Sequence, residues 1–370
     1  MEKKSKRSSS VSPPPPKRRK SVGATKRSGL STDVQVGHLT VYSWNINGIG
    51  PFVQRPITSF CKPSPGSSTP PAQEASSLRD VLRRQDWPSI LCLQEVKIRE
   101  DDESTKTTVE RSVMSADGNA EPSYKTFFCL PCDKYNARGF GRKIYGVCTL
   151  IRTDFFDKVV NNVRTVDWDA EGRFLVCETR VSGMMPRLAI INVYAVNGTE
   201  APYKDPQTGE PAGTRHDRKL QVHKRLQTEC RALEEKGFAC IVAGDLNIAR
   251  KPIDGHPNLR TFPKRHCLNR ADFEARFFRN SQQGGTAAAA DDQALDFIDT
   301  FRQVHGESRP GYTYYPRGKP FGSSCDRVDM ILISQSLKAS LQAAGICETP
   351  ADRSSSDHVP LWCTLGFEGE

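Results

Sequence analysis

Short apolar runs recur from residue 39 to the end of the chain, separated by polar turns. The clearest lie at 39–44, 90–94, 124–130, 146–152, 174–179, 188–194, 239–243, 328–333 and 359–365. Most are continuously apolar rather than alternating, which predicts strands covered on both faces. Two segments carry helical spacing instead. Residues 216–236 put Val222, Leu226, Cys230 and Leu233 on one stripe and run into Gly237, a residue suited to ending a helix. A shorter helix is expected over about 75–85. No internal repeat is visible. Many strands with flanking helices predict a layered α/β sandwich. The stretches 62–72, 199–214 and 281–292 are rich in turn-forming or small residues and read as loop insertions within one domain.

Residues 1–36 break this pattern. They are rich in Lys, Arg, Ser and Pro, with four consecutive prolines at 13–16, and lack the apolar surface that folding requires. A disordered tail over 1–36 and a folded domain over 37–370 are therefore expected. The net charge of +10 belongs mostly to that tail, because residues 1–30 hold ten basic side chains and one acid, Glu2. The folded part is close to neutral, so any grip on an anionic partner there must come from local patterning. The run Lys17-Arg18-Arg19-Lys20 reads as a nuclear localisation signal for an import receptor. A solvated basic tail that adds non-specific affinity for nucleic acid is the alternative. A mitochondrial presequence fits less well, since prolines forbid the amphipathic helix it needs. No apolar run approaches the ~18 residues of a membrane helix, and no secretory signal is visible, so a soluble nuclear protein without a membrane partner is expected. The twelve cysteines are scattered, many within apolar strands, and read as buried free thiols. Cys129 and Cys132 have zinc-like spacing but lack a second pair nearby.

Polar residues gather where the apolar strands end. Asn45 and Asn47 follow the first strand, Glu95 the second, Tyr194 and Asn197 the strand at 188–194, and Asp245 and Asn247 the strand at 239–243. Asp329 sits at the start of an apolar run, and Asp357-His358 precede the last strand. A carboxylate at such a point is costly to bury unless it is paired or holds a metal. Each fragment alone is compatible with a turn, a helix cap or a solvated strand end. Together, six such points suggest one shared site.

The order of these fragments resembles the exonuclease III family of class II abasic-site endonucleases, within the larger endonuclease/exonuclease/phosphatase superfamily. The segments that carry the resemblance are SWNINGI (43–49), LQEVK (93–97), YGV (145–147), NVYAVN (192–197), GDLNIA (244–249), DTFR (299–302), YTYY (312–315), DRVD (326–329) and SDHVP (356–360). The resemblance implies a four-layer sandwich of two packed mixed β-sheets flanked by helices. It implies a DNA-repair phosphodiesterase that cleaves 5′ of abasic sites or clears blocked 3′ ends and terminal nucleotides, acting as a monomer on double-stranded DNA. It also implies roles. Glu95 is the main metal ligand, with Asn45, Asp245, Asn247, Asp357 and His358 also in the metal set. Asp245 activates the attacking water, Asn247 and Tyr194 approach the phosphate, and Asp329 orients His358 towards a phosphate oxygen. Asn47, Tyr145, Asn197, Tyr314, Tyr315 and Arg327 contact DNA. Mg2+, with Mn2+ as a substitute, suits such an oxygen-rich set.

The chain departs from the family at Asp326 and Val328, where larger apolar side chains usually line the abasic pocket, and at Gly198-Thr199-Glu200, which lacks an inserting Arg. Lys134, Arg138, Arg142 and Lys143 are a compensating basic loop that could reach phosphates, or a solvated one. Ser324-Cys325-Asp326-Arg327-Val328 also resembles the Cys-Asp-Arg-Ile motif of inositol polyphosphate 5-phosphatases. Hydrolysis of an inositol phosphate or phospholipid is therefore one alternative, and a non-catalytic nucleic-acid-binding protein on the same fold is another.

Overall fold

A computed structural model describes residues 37–53, 77–115, 120–137, 145–278 and 294–367. The expected tail and localisation signal, the insertions 62–72 and 281–292, and Arg138, Arg142 and Lys143 lie outside the described residues. In chain order the strands are β1 (His38–Asn45), β2 (Ile90–Gln94), β3 (Tyr124–Cys129), β4 (Val147–Arg152), β5 (Val160–Thr165), β6 (Phe174–Thr179), β7 (Leu188–Tyr194) and β8 (Pro202–Lys204). There follow β9 (Pro211–Thr214), β10 (Ala239–Asp245), β11 (Gly255–His256), β12 (Ile298–Asp299), β13 (Cys325–Asp326), β14 (Asp329–Ile333), β15 (Leu341–Ile346) and β16 (Leu361–Gly366). The helices are α1 (Gly50–Val53), α2 (Leu78–Arg84), α3 (Glu103–Ser112), α4 (Thr153–Val159), α5 (Arg215–Glu235), α6 (Lys264–Phe277), α7 (Thr300–His305) and α8 (Pro350–Arg353).

Two mixed six-stranded sheets form the centre, ordered β15-β16-β1-β2-β4-β3 and β12-β14-β10-β7-β6-β5. Within each, one central pair is parallel, β1 with β2 and β7 with β10. The continuous apolar runs follow directly from the layering. Val41, Ile90 and Cys92 of the first sheet meet Ile190, Ile241 and Ile331 of the second in one core. Their neighbours face outward: Trp44, Leu91 and Leu93 pack with Leu78, Val81 and Leu82 of α2, while Ile191, Val242 and Leu332 pack with α5 and α6. Helix, sheet, sheet and helix thus stack in four layers, each sheet buried on both faces.

The helix expected at 216–236 is α5. Thr214 caps it in a reciprocal box with Asp217, and Gly237 ends it at a φ of 80°. Val222, Leu226, Cys230 and Leu233 are its buried stripe, as the spacing predicts. The insertion expected at 199–214 contains the β8–β9 hairpin. Several elements were not expected from the sequence, among them α3, α4, β5, α6 and β15. Helix α6 is mostly polar and anchors mainly through Phe273 and Phe277 against α5 and its neighbours. Strand β15, Leu-Gln-Ala-Ala-Gly-Ile, has a helical composition, yet its pairing with β16 decides its state.

One expectation is corrected here. Arg327 does not face DNA: it is 1% exposed and lies in a buried ion cluster. Its Nε and Nη2 bond Asp254 and Asp299, each at 2.8 Å, Arg250 reaches Asp299 at 3.0 Å, and Arg302 also pairs with Asp254. Basic residues next to a candidate site suggest phosphate contacts in sequence; only the fold reveals partners 28 and 73 residues away. The cluster fixes the segment that joins Asp326 to Asp329. Burial opposes the charge on Asp299, but Arg327 and Arg250 hold its carboxyl down to about 2. The stability it contributes is present above the ordinary Asp value and fades as pH falls from there through about 2. Asp299→Ala leaves buried guanidinium groups unmatched, so urea unfolding near neutral pH should show a loss of about 3–5 kcal/mol. A loss below about 1 kcal/mol, the level of a surface pair, would contradict this placement.

Candidate active site

The two parallel pairs bring the C-terminal ends of β1, β2, β7 and β10 to one edge of the sandwich. Gln94 pairs with Asn45, and Asp245 pairs with both Tyr194 and Asp329. Gly244 makes the approach of β10 to β7 possible, because a Cβ there would lie 1.8 Å from the carbonyl oxygen of Val193. Asn47, Glu95 and Asn247, each just past its strand, have φ of 52–53°. This left-handed conformation comes easily to Asn, but for Glu it costs roughly 1–2 kcal/mol, and such strain tends to persist at functional sites.

Across that edge the sheets touch through polar groups. The Asn45 amide nitrogen donates to Glu95 Oε1 at 3.1 Å and to Asp245 Oδ2 at 3.0 Å, joining the two sheets. The Tyr194 hydroxyl donates to Glu95 Oε1 at 2.7 Å. Lys97 Nζ lies 3.1 Å from Glu95 Oε2 and also donates to Asn47, whose amide reaches Asp357 at 3.0 Å. Asn247 donates through its backbone N–H to Asp245 Oδ1 at 2.8 Å and through its amide to Ala195 O at 3.0 Å. His358 Nδ1 and Asp329 Oδ2 are 2.7 Å apart. Single ligand atoms of Asp245, Asp329 and His358 all lie within 4.8 Å of one another.

Charge follows from this packing. Burial alone would keep His358 neutral, but Asp329 raises it to about 10, so the ring is an imidazolium. Burial, followed by the charge of Asp329, pushes Asp245 up to about 7. Burial also opposes ionisation of Glu95, yet Lys97 and the bonds from Tyr194 and Asn45 hold it below the usual Glu value. The site therefore combines an ionised carboxylate, a carboxylate poised to exchange a proton near neutrality, and a fixed cation. That is a set suited to activating water beside an anionic ester.

A hard divalent cation fits the donors. Asp245 and Asp329 offer carboxylate oxygens in the close cluster, and Asp329 Oδ1 is buried without a hydrogen-bond partner. Glu95 is tied to Asp245 through the Asn45 amide, and Asp357 to Lys97 through Asn47. Of the other expected ligands, His358 belongs to the close cluster and is held through Nδ1 by Asp329. The Asn247 amide nitrogen is turned to Ala195 and Asp245, which orients the turn.

The remaining expected contacts divide. Asn197 is exposed at the rim, Tyr145 lies half-buried over Arg173, and the Tyr314 ring lies 5.0 Å from that of His358. Tyr315 is 5% exposed and stacked on Phe321 at 4.0 Å, so it supports the loop and cannot be reached by DNA. Asp326 forms part of a cavity wall beside Tyr314 and Val328. Sequence reasoning missed Lys97, which shields Glu95, although LQEVK itself displays it two residues on. It also missed Ser356, whose hydroxyl donates to Asn45 O at 2.6 Å and accepts from His358 N at 3.0 Å, tying the histidine turn to β1. Nor did it find Lys219, buried in α5 with its Nζ donating to Asn247 O at 2.7 Å. Its helical neighbours gave no sign that this side of the first turns is inward.

Residues 42–358 match the sequence model described as the Endonuclease/Exonuclease/phosphatase family. A mouse protein, DNA-(apurinic or apyrimidinic site) endonuclease 2, is 27% identical over 349 residues, covering 88% of this chain and 60% of its own length. The chain thus spans well under two thirds of that relative. Among solved structures, the Xenopus laevis APE2 catalytic domain superposes with a TM-score of 0.58 at 20% identity, covering 90% of this chain and 94% of that one. The AP endonuclease LMAP of Leishmania major gives 0.61 at 18% identity, covering 90% and 89%. At these identities the two structures speak to the fold.

Proposed function

This chain belongs to the endonuclease/exonuclease/phosphatase family, and from that premise we propose that it is a metal-dependent DNA-repair phosphodiesterase. Its substrates are double-stranded DNA with abasic sites, cleaved on the 5′ side, and blocked or damaged 3′ ends. The observation that carries this reading is the meeting, at one strand edge, of an ionised Glu95, an Asp245 poised near neutrality and an imidazolium locked by Asp329. The names of the similar proteins support the choice of DNA.

In this mechanism Asp245 accepts a proton from the attacking water, and Asn247 holds Asp245 in place. His358 donates from Nε2 to a non-bridging phosphate oxygen, where negative charge grows in the transition state. Asp329 keeps that proton on the ring. Tyr194 steadies Glu95 through its hydroxyl. Mg2+, with Mn2+ able to replace it, supplies Lewis-acid stabilisation of the phosphate when held by Glu95, Asp245 and Asp357. No covalent intermediate is needed, since water is the nucleophile and the Ser356 hydroxyl is committed to Asn45 O and His358 N. The basic run Lys17–Lys20 would direct the monomeric protein to the nucleus through an import receptor.

A labelled duplex with one abasic-site analogue tests the reading. The expected product is a Mg2+-dependent nick 5′ of the lesion that leaves a 3′-hydroxyl, abolished by EDTA. Binding in a gel shift without cleavage under any metal condition would make the protein a non-catalytic binder. Inorganic phosphate released from an inositol polyphosphate, with the duplex intact, would transfer it to the phosphatase branch.

A further inference from the structure

A cavity of about 230 Å³ adjoins the reaction centre, with Asn247 and His358 in its wall. The rest of its lining carries several charged side chains. Arg260 and Arg270 contribute to it, together with the single carboxylate of Asp326. Arg270 is held by backbone oxygens, its Nε donating to Ala249 O at 2.7 Å and its Nη2 to Arg260 O at 2.8 Å. Those bonds orient a guanidinium without neutralising it. Among the described residues no carboxylate lies within ion-pair distance of either arginine. Asp326 feels both as a distant attraction, and burial dominates its environment.

Asp326 is placed by the same framework that places the imidazolium. Its backbone exchanges hydrogen bonds with Tyr314 at 2.9 and 3.1 Å, and the Tyr314 ring packs against His358. Arg327, locked in the buried ion cluster, holds the chain on the other side of it. The cavity is therefore a built recess in which Arg260, Arg270 and the His358 imidazolium, with Lys219 beside them, outnumber the one acid, Asp326. It is poorly matched to an uncharged fragment and well matched to a second negative group attached to the ester.

We propose that this cavity receives the fragment released from the phosphodiester, and that Arg260 and Arg270 select fragments carrying a second anion, a carboxylate or a phosphate, while Asp326 limits that preference. The inference rests on the phosphodiesterase reading above and narrows its substrate. In the hydrolysis the water oxygen bonds to phosphorus as the bond to the retained 3′-oxygen breaks. That oxygen leaves with a proton, and the fragment departs as its phosphate monoester with the second anion intact.

The test compares two duplexes with blocked 3′ ends, one ending in phosphoglycolate and the other in the isosteric phosphoglycolamide. The scissile bond and size are the same, and only the terminal charge differs. For the parent protein, kcat/KM for the acid should exceed that for the amide by about tenfold or more, the scale of one charge-assisted hydrogen bond. Arg260→Gln, at an exposed position, should bring the ratio towards one. Arg270→Lys, which keeps the charge, should retain most of it. Asp326→Asn should raise it. A parent ratio near one, or an Arg260→Gln ratio within about twofold of the parent, overturns the assignment. A parent that nicks the abasic-site duplex yet hydrolyses neither blocked end overturns this inference alone, whereas one that cleaves none of these duplexes removes the phosphodiesterase reading and this inference with it.

Discussion

Glu95→Gln should lower kcat by roughly 10³-fold or more, with little change in thermal stability, because it removes a charge that acts on the developing transition state. The side chain keeps its shape, and Tyr194 can still donate to the remaining carbonyl oxygen. What disappears is the charge that Lys97, Tyr194 and Asn45 together keep ionised in a largely buried position. Lys97 is then left without its carboxylate. Two measurements separate this from general damage. Isothermal titration with Mg2+ should show weaker binding than in the parent, and the Mg2+ concentration for half-maximal cleavage should rise. If cleavage and Mg2+ binding both stay near parental values, Glu95 has no part in holding the metal. Lys97→Ala provides a contrast. It should leave Glu95 free to ionise through its other partners and should cost far less than the Glu95 change.

How far the residues themselves disclosed this site depends on the range of the interaction concerned. The strand ends were legible because burial on both faces writes continuous apolar runs, and a polar residue just beyond such a run stands out. Asn45, Glu95 and Asp245 were found in that way and His358 just ahead of the last run, and the layered sheets do bring them together. The direction of a charged side chain was not legible. Arg327 and Asp326 are adjacent, yet one is sealed among carboxylates from 254 and 299 while the other borders a cavity. Strand alternation turns neighbours to opposite sides, and no local pattern says which side is solvent when both are polar. Lys219 shows the same limit on a helix. Its turn of α5 reads as polar surface, but the Asp245–Asn247 turn lies against it and takes its hydrogen bond. Helix α6 and strand β15 escaped notice for a different reason, since their states are decided by neighbours rather than by their own composition.

The second large effect is expected from Asp329→Asn. Asp329 touches no substrate in the proposed mechanism and acts through His358, so it is a positioning residue. It accepts from Nδ1 at 2.7 Å from a fully buried position, and its charge is what overcomes the burial that would otherwise discharge the imidazole. With Asn in its place, burial prevails and the ring becomes neutral at physiological pH. The turnover number should fall by about 10²- to 10⁴-fold near pH 8, the range seen when the carboxylate partner of a working histidine is replaced. The pH profile gives a readout that mere loosening of the fold would not move. In the parent, the alkaline limb belongs to His358 losing its proton and should lie near 10, whereas the acid limb belongs to Asp245 gaining one near 7. In the variant the alkaline limb should move down by several units. Asp329 raises Asp245 and a charged His358 lowers it, so losing both charges together should leave the acid limb near its parental place. The pH range over which both groups are in their working states should therefore narrow from its alkaline side. A variant that loses turnover equally at every pH, with both limbs where the parent has them, would show that Asp329 serves only to pack the sheet edge.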